Sequence, residues 1–183
     1  METTTASSSH DGGATLWAAI RRATPDDAAA IADCLSAAFA PYRDSYTPDA
    51  FRDTTLSKGG VEKRIQEMTL LVAVDDSGHL IGTVAYRVVA PAQQVAKPDD
   101  ETAKHGHLRG MAVLPQWRGS GAAAGLLAAA EQALRELGCE RVTLNTTRPL
   151  DRAVRFYEKR GYARTGTVGD YYGMQLFEYA KTL

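Results

Sequence analysis

The chain has 183 residues and is 44% hydrophobic, a length and composition that suit one compact domain with a substantial core. Its 21 Lys and Arg residues nearly balance its 22 Asp and Glu residues, so no net basic field favours nucleic acid or an anionic membrane as a partner. Cys34 and Cys139 are too far apart in the sequence to suggest a disulfide framework or a zinc site, and we expect both to be buried thiols. The longest apolar run is too short to cross a bilayer, and we expect a soluble, cytoplasmic protein.

The beginning of the chain is polar and predicts a disordered tail over residues 1–13, followed by a single domain over residues 14–183. The tail has neither the cationic start nor the apolar stretch of a secretory signal. Residues 16–24 predict the first strand. Thr24 followed by Pro25 is typical of a helix start, so we expect the first helix there.

The middle of the chain predicts a second helix and a hairpin. Thr47 and Pro48 repeat the helix-start pattern and predict a short helix before residues 61–68. Two apolar segments then flank the turn signal Asp75-Asp76-Ser77-Gly78, which predicts an antiparallel strand pair. Residues 91–104 lack periodicity and predict a loop.

Strand and helix patterns alternate in the second half of the chain. They predict a strand over 107–114, a helix over 120–137, a strand over 141–147, a helix over 149–160 and two last strands over 163–183. A helix between two strands joins them as a parallel pair through a right-handed crossover. We therefore expect one parallel strand pair in the sheet.

Small residues are concentrated at the start of the third predicted helix, in the segment RGSGAAA, residues 118–124. Backbone N–H groups without bulky side chains at a helix start bind anions, and the alternative is a helix start that needs small residues for packing. A nucleotide P-loop requires Lys and then Ser or Thr after its last glycine, where this chain has Ala122 and Ala123. The dinucleotide-binding pattern is matched, but the segment PQWR separates its glycines from the strand, and the acidic residue expected near the end of the next strand is missing.

Two segments of the chain resemble the GNAT superfamily of acyl-CoA-dependent N-acetyltransferases. The family's pyrophosphate-binding pattern, Gln/Arg-x-x-Gly-x-Gly/Ala, matches Arg118, Gly119, Ser120, Gly121, Ala122 and Ala123. The segment AVRFYEKRGY, residues 153–162, is similar to a later segment of the family. The resemblance implies an α/β fold of the mixed α+β type, with a central, mostly antiparallel sheet, one splayed parallel strand pair and the order β-α-α-β-β-β-α-β-α-β-β.

The resemblance also implies which residues hold the cofactor, acetyl-CoA. Its diphosphate is expected on Arg118, Gly119, Ser120, Gly121, Ala122, Ala123 and Ala124. Its pantetheine arm is expected to pair with the backbone of Met111, Ala112 and Val113. Gly110 fits a bulge that aims an N–H group at the thioester oxygen, or a plain packing glycine. Family members often carry an asparagine where this chain has Leu150, and Asn145 is a loose substitute for that contact.

Acyl transfer from a thioester needs a neutral amine, a donor for the developing oxyanion and a proton source for the leaving thiolate. The resemblance gives the last role to Tyr157, for which helix packing is the alternative. His107 is the nearest imidazole for a general base, on a strand where His105 and Arg109 share its face. A base relayed through water and no dedicated base are the alternatives. Residues that could line the acceptor pocket or serve packing are Asp170, Tyr171 and Tyr172.

The expected function is transfer of the acetyl group of acetyl-CoA to a primary amine of a small molecule or peptide, by direct attack in a ternary complex. A non-catalytic acyl-CoA-binding module is the first alternative, and an NAD(P)-dependent oxidoreductase is the second. We expect no metal, nucleic acid or membrane to take part. The identity of the acceptor and the oligomeric state stay open, with a homodimer formed by exchange of the last strand as one option.

Overall fold

The computed structural model describes residues 17–89 and 104–183, in which seven strands form one sheet in the order β1-β2-β3-β4-β5-β7-β6. The strands are β1 (Ala19–Arg22), β2 (Thr69–Val74), β3 (Leu80–Val89), β4 (Lys104–Val113), β5 (Cys139–Thr147), β6 (Ala163–Tyr171) and β7 (Met174–Thr182). The tail predicted over residues 1–13 lies outside the described residues. So does the loop predicted over residues 91–104, except Lys104, which belongs to β4.

Five α-helices flank the sheet in the described part of the chain. They are α1 (Ala28–Phe39), α2 (Pro48–Thr54), α3 (Lys58–Glu67), α4 (Ala122–Glu136) and α5 (Asp151–Glu158). Short 3-10 turns precede α1, follow α1 and lie between β4 and α4, at Pro25–Asp27, Ala40–Ser45 and Pro115–Trp117. The turn after α1 has no counterpart in the sequence predictions.

Polar side chains begin the helices between β1 and β2. Thr24 caps the 3-10 turn Pro25–Asp27 that leads into α1, and its N–H group donates to the Asp27 carboxylate at 2.7 Å. The Thr47 hydroxyl accepts from the N–H of Ala50 at 3.3 Å, which confirms the predicted start of α2. The Ser57 hydroxyl caps α3 in the same way. Three helices therefore connect β1 to β2, where the sequence predicts two.

The sheet lies between two helical layers and has a core on each face. Alternate residues of β3 enter opposite cores: Val84 packs with α4 and α5, and Ala85 packs with α1 and α3. Cys34 and Cys139 are buried free thiols, one in each core, as predicted.

The parallel strands β4 and β5 separate halfway along their length. Their register runs from Lys104 opposite Cys139 to Leu108 opposite Leu144, and no later pair is formed between the two strands as described. Beyond that point β4 stays paired with β3, and β5 stays paired with β7. A bulge accompanies the separation, because Thr83 faces Ala112 while Ala85 faces Arg109. This arrangement confirms the predicted mixed sheet with one splayed parallel pair.

Candidate active site

A cavity of about 480 Å³ opens where β4 and β5 separate; we call it the large cavity. Its walls come from the end of α1, the second half of β4, the start of α4, the end of β5 and α5. Most of the residues expected to hold the cofactor line it: Met111, Ala112, Val113, Arg118, Gly119, Gly121, Ala123, Ala124 and Asn145. The structure therefore brings the glycine segment, the strand and the Tyr157 helix to one cavity.

The glycine turn, residues 118–124, presents bare backbone to the large cavity. Gly119 and Gly121 both have φ +87°, a left-handed conformation that side chains disfavour. A Cβ atom on Gly119 would meet nothing within 4 Å. In the described residues no acceptor is found for the N–H groups of four residues that line the cavity: Gly119, Gly121, Ala123 and Ala124. Free N–H groups at the start of a 15-residue helix fit a diphosphate.

The other residues of the glycine turn have different surroundings. The Arg118 guanidinium lines the large cavity and donates to the carbonyl oxygen of Ala38 at 3.1 Å, which ties it to the end of α1. The Ser120 hydroxyl accepts from the N–H of Ala122 at 3.3 Å, a local bond within the turn. Ala122 is buried in the core between α4 and the sheet. Ser120 and Ala122 are not in the cavity wall, and they shape the turn from behind.

The exposed edge of β4 forms the floor of the large cavity. Gly110 has φ +61° and lies in the bulge, where it and Met111 together face one residue of β3. A bulge leaves one residue out of the ladder, so backbone polar groups here are free to meet a ligand. Met111, Ala112 and Val113 follow on the same edge and have no strand partner on the β5 side in the described residues.

Tyr157 reaches the large cavity from α5 and is 8% exposed. Its hydroxyl donates to the Met111 sulfur at 3.3 Å, and a thioether is a weak acceptor. Burial raises the pKa of Tyr157 well above its usual value, so the phenol is fully protonated at neutral pH. The Tyr157 hydroxyl is therefore a proton donor in the wall of the large cavity, and a stronger acceptor than the Met111 sulfur would displace its present partner.

A second cavity of about 220 Å³, which we call the small cavity, adjoins the large one. Seven residues line both cavities: Phe39, Leu108, Arg109, Gly110, Asn145, Thr146 and Leu150. Two of the residues considered for the acceptor side, His107 and Tyr171, line the small cavity. Asp170 instead accepts the N–H of Gly173 in the β6–β7 turn, and Tyr172 is 54% exposed.

His107 is a neutral imidazole in the wall of the small cavity. Its Nδ1 lies 3.0 Å from the Thr143 hydroxyl, which itself donates to the Gly106 carbonyl oxygen. Because that hydroxyl has one proton, Nδ1 carries the imidazole proton and Nε2 keeps its lone pair. Burial and the charges of Arg87 and Arg109 lower the pKa of His107 to about 4. His105 lines neither cavity.

A polar cluster that sequence reasoning missed forms the far side of the small cavity. Asp53 accepts from Arg109, and from the Tyr171 hydroxyl at 2.5 Å. Arg64 is 8% exposed and lines the same cavity. A signal was present for Arg64, because it lies three residues after Val61 and four before Met68, on the apolar stripe of a helix. A charged residue on such a stripe has to be explained by its surroundings.

The junction between the cavities holds further polar groups. Asn145 is exposed at the junction, and Leu150, at the place where the family often has asparagine, lines both cavities. The hydroxyl oxygen of Thr146 is buried and lacks a hydrogen-bond partner in the described residues. Sequence reasoning did not identify Thr146, since threonine in a strand is ordinarily explained by β propensity.

Residues 17–89 and 104–183 contain neither a metal-ligating cluster nor a membrane-spanning helix. No group of three or more His, Cys, Asp or Glu side chains is placed to hold a metal ion in these ranges. None of the helices described there combines the length and the apolar character needed to cross a membrane.

Solved structures with the same fold include several acetyltransferases. PaiA N-acetyltransferase from Thermoplasma acidophilum, in complex with coenzyme A, matches with a TM-score of 0.70 and 19% identity over 90% of this chain and 98% of that chain. Ribosomal-protein-alanine N-acetyltransferase from Brucella melitensis matches with a TM-score of 0.65 and 21% identity over 91% and 100% of the two chains. A chain of the NatC complex bound to Gag peptide and CoA matches with a TM-score of 0.65 and 18% identity over 90% of this chain and 98% of that chain. These likenesses establish the fold.

Sequence comparison identifies the family. No curated protein matches the chain. The model of the acetyltransferase (GNAT) family matches residues 29–162, which is more than half of the chain and includes the glycine turn, the separated strands and Tyr157. The chain therefore belongs to the GNAT family of acetyltransferases.

Proposed function

We propose that this protein transfers the acetyl group of acetyl-CoA to a primary amine of a small molecule or peptide, by direct attack in a ternary complex. The observation that carries the proposal is the junction of two cavities at the gap between β4 and β5. The large cavity has the phosphate-binding turn and the small cavity has polar side chains. Donor and acceptor can then occupy the two cavities together, and their reacting groups meet at the shared wall.

The large cavity fits the cofactor through backbone groups. The free N–H groups of the glycine turn would hold the diphosphate, and the unpaired edge of β4 over residues 111–113 would hold the amide-bearing arm. Bound there, acetyl-CoA supplies an acyl group activated as a thioester. The bulge at Gly110 is our candidate for the N–H donor that stabilises the oxyanion.

Proton transfer requires two groups of opposite character, and the chain provides both near the junction. The Tyr157 hydroxyl is a protonated donor with a weak partner, and it would deliver its proton to the departing sulfur. His107 Nε2 is an unprotonated acceptor and would take the proton of the attacking amine, directly or through water. His107 lines the acceptor cavity and Tyr157 the donor cavity, which matches these roles.

Binding and turnover test the proposal separately. A ligand at 100 times its dissociation constant stabilises the folded state by about 2.7 kcal/mol, which corresponds to a rise of roughly 5–10 °C in Tm for a domain of this size. We expect that rise with acetyl-CoA and none with NAD or GTP. Thiol release from acetyl-CoA is then measured over a panel of amines. Binding without amine-dependent thiol release would indicate the non-catalytic module, and no binding would refute the proposal.

A further inference from the structure

Arg64 is a buried cation that the folded chain leaves without a partner. It is 8% exposed, and in the described residues no hydrogen bond or carboxylate within 4.0 Å satisfies its guanidinium. Its Nη1 would lie 2.7 Å from a Cβ atom on Gly110, so the guanidinium rests against the bulge in β4. Its nitrogens are not among the fully buried side-chain atoms without a partner, so they face the small cavity, where a largely buried charge is costly unless something compensates it.

The charges around the small cavity do not balance. Asp53 is its one carboxylate in the described lining, and that carboxylate already accepts from Arg109 and Tyr171. His107 is neutral, because its pKa is held at about 4. Burial and Arg109 lower the pKa of Arg64 to about 10, which still leaves the guanidinium protonated at neutral pH. Asp53, Tyr171 and Glu67 act on Arg64 in the opposite direction, but more weakly. Among the residues that line the small cavity, two guanidinium groups thus face one carboxylate, and that carboxylate is already bonded to Arg109.

We propose that Arg64 binds an anionic group, a carboxylate or a phosphate, on the amine that the enzyme acetylates. This inference rests on the proposed function and narrows it, since the acceptor becomes a small amine with an anion close to the amino group. Arg64 provides a fork of N–H donors suited to either anion. The small cavity, of about 220 Å³, suits a small head group. Because Arg64 contacts Gly110, an anion bound to Arg64 would lie beside the gap through which the amine reaches the thioester.

A purely structural role for Arg64 makes a different prediction about stability. If Arg64 supported Asp53, replacing it would destabilise the fold. If it is kept for a ligand, removing an uncompensated buried charge leaves Tm unchanged or raises it. Arg64→Gln is the test variant. Lys63→Gln is its matched control, since Lys63 is the preceding residue of α3, is 75% exposed and pairs only with Glu67 on the surface in the described residues.

Two pairs of amines test the proposal and distinguish the two anions. Alanine is compared with alaninamide, and O-phosphoethanolamine with ethanolamine, each by kcat/KM at saturating acetyl-CoA. We expect the wild-type protein and Lys63→Gln to prefer at least one anionic member by tenfold or more. Arg64→Gln should lose roughly 10- to 100-fold with that amine, mainly in KM, and little with its neutral analogue, as for loss of a charge-assisted hydrogen bond. Arg64→Lys should recover part of the loss.

Calorimetric binding separates failure of this inference from failure of the proposed function. The anionic amines are titrated into the CoA-bound protein, so the result does not depend on turnover. Binding to wild type that disappears in Arg64→Gln supports the inference even where no amine is acetylated. Equal kcat/KM for anionic and neutral amines, equal effects of Arg64→Gln and Lys63→Gln, or no binding of either anionic amine to wild type would overturn it.

Discussion

Replacing Tyr157 with phenylalanine should separate catalysis from stability more cleanly than any other substitution in the site. In the described structure its hydroxyl donates only to the Met111 sulfur, at 3.3 Å, a weak bond whose loss costs about 1 kcal/mol or less. Tm should therefore fall by no more than about 4 °C. If the hydroxyl protonates the leaving sulfur, kcat should fall by roughly 10²- to 10⁴-fold, while the affinity for acetyl-CoA stays the same.

Tyr162→Phe is the matched control, because Tyr162 is also buried and packs against Tyr157. Its hydroxyl donates to the buried Glu131 carboxylate at 2.9 Å, and losing such a bond costs about 1.5–3 kcal/mol. We therefore expect a less stable protein, with Tm lower by roughly 3–12 °C, and an unchanged kcat per folded molecule.

The assay measures thiol release with two acyl donors, acetyl-CoA and an acetyl thioester of a more acidic thiol. A leaving thiolate of lower pKa needs less protonation, so the defect of Tyr157→Phe should shrink with the second donor. Wild-type kcat in Tyr157→Phe, or an equal defect with both donors, would refute the role of Tyr157 as proton donor.

Two further predictions concern the turn and the histidine. Gly119→Val places a side chain at the wall of the large cavity. It should raise the Kd for acetyl-CoA at least tenfold in an isothermal titration, which corresponds to a loss of about 1.4 kcal/mol of binding free energy. The control is Gly78→Val, at φ +81° in the β2–β3 turn, which carries the same backbone strain of about 1–3 kcal/mol and should bind acetyl-CoA with the wild-type Kd. Equal Kd values for the two variants would exclude the glycine turn as the phosphate site. The pKa of His107 is about 4 in the folded protein and 6.5 for the free side chain. As the pH falls from 6.5 to 4, the unfolded chain therefore takes up a proton that the folded chain does not. The free energy of unfolding should fall by roughly 3 kcal/mol over this range. Urea unfolding of His107→Gln at pH 7 and pH 4.5 should show a smaller loss than wild type, and equal losses would contradict the burial of His107.

The sequence was most informative where local pattern determines structure. Thr47 predicts a helix start because a hydroxyl cap is a local interaction. The glycine turn could be recognised because its residues match a contiguous family motif, whereas small residues alone would equally fit packing. Ser57 was not identified as a second cap, so the sequence predicts a short helix before residues 61–68 and leaves α3 out.

The acceptor side could be predicted only in part, through His107 and Tyr171, because the rest of it is built by long-range contacts. Asp53 on α2, Arg64 on α3 and Tyr171 on β6 meet only after the sheet has formed, and nothing in their separate segments states that they will meet. Arg64 was detectable as a charge on an apolar stripe, but its proximity to Gly110 follows from how α3 packs on β4.

If the large cavity holds the acyl donor and the small cavity holds the amine, as proposed, the residues that line both cavities link the two specificities. A smaller residue at Leu150 or Thr146 would enlarge the large cavity and the small cavity with one substitution. A lineage that adopted a longer acyl chain by this route would have to re-adapt to its amine as well. The two cavities can change size independently only at positions that line one of them, such as Ala153 in the large cavity and Thr54 in the small cavity.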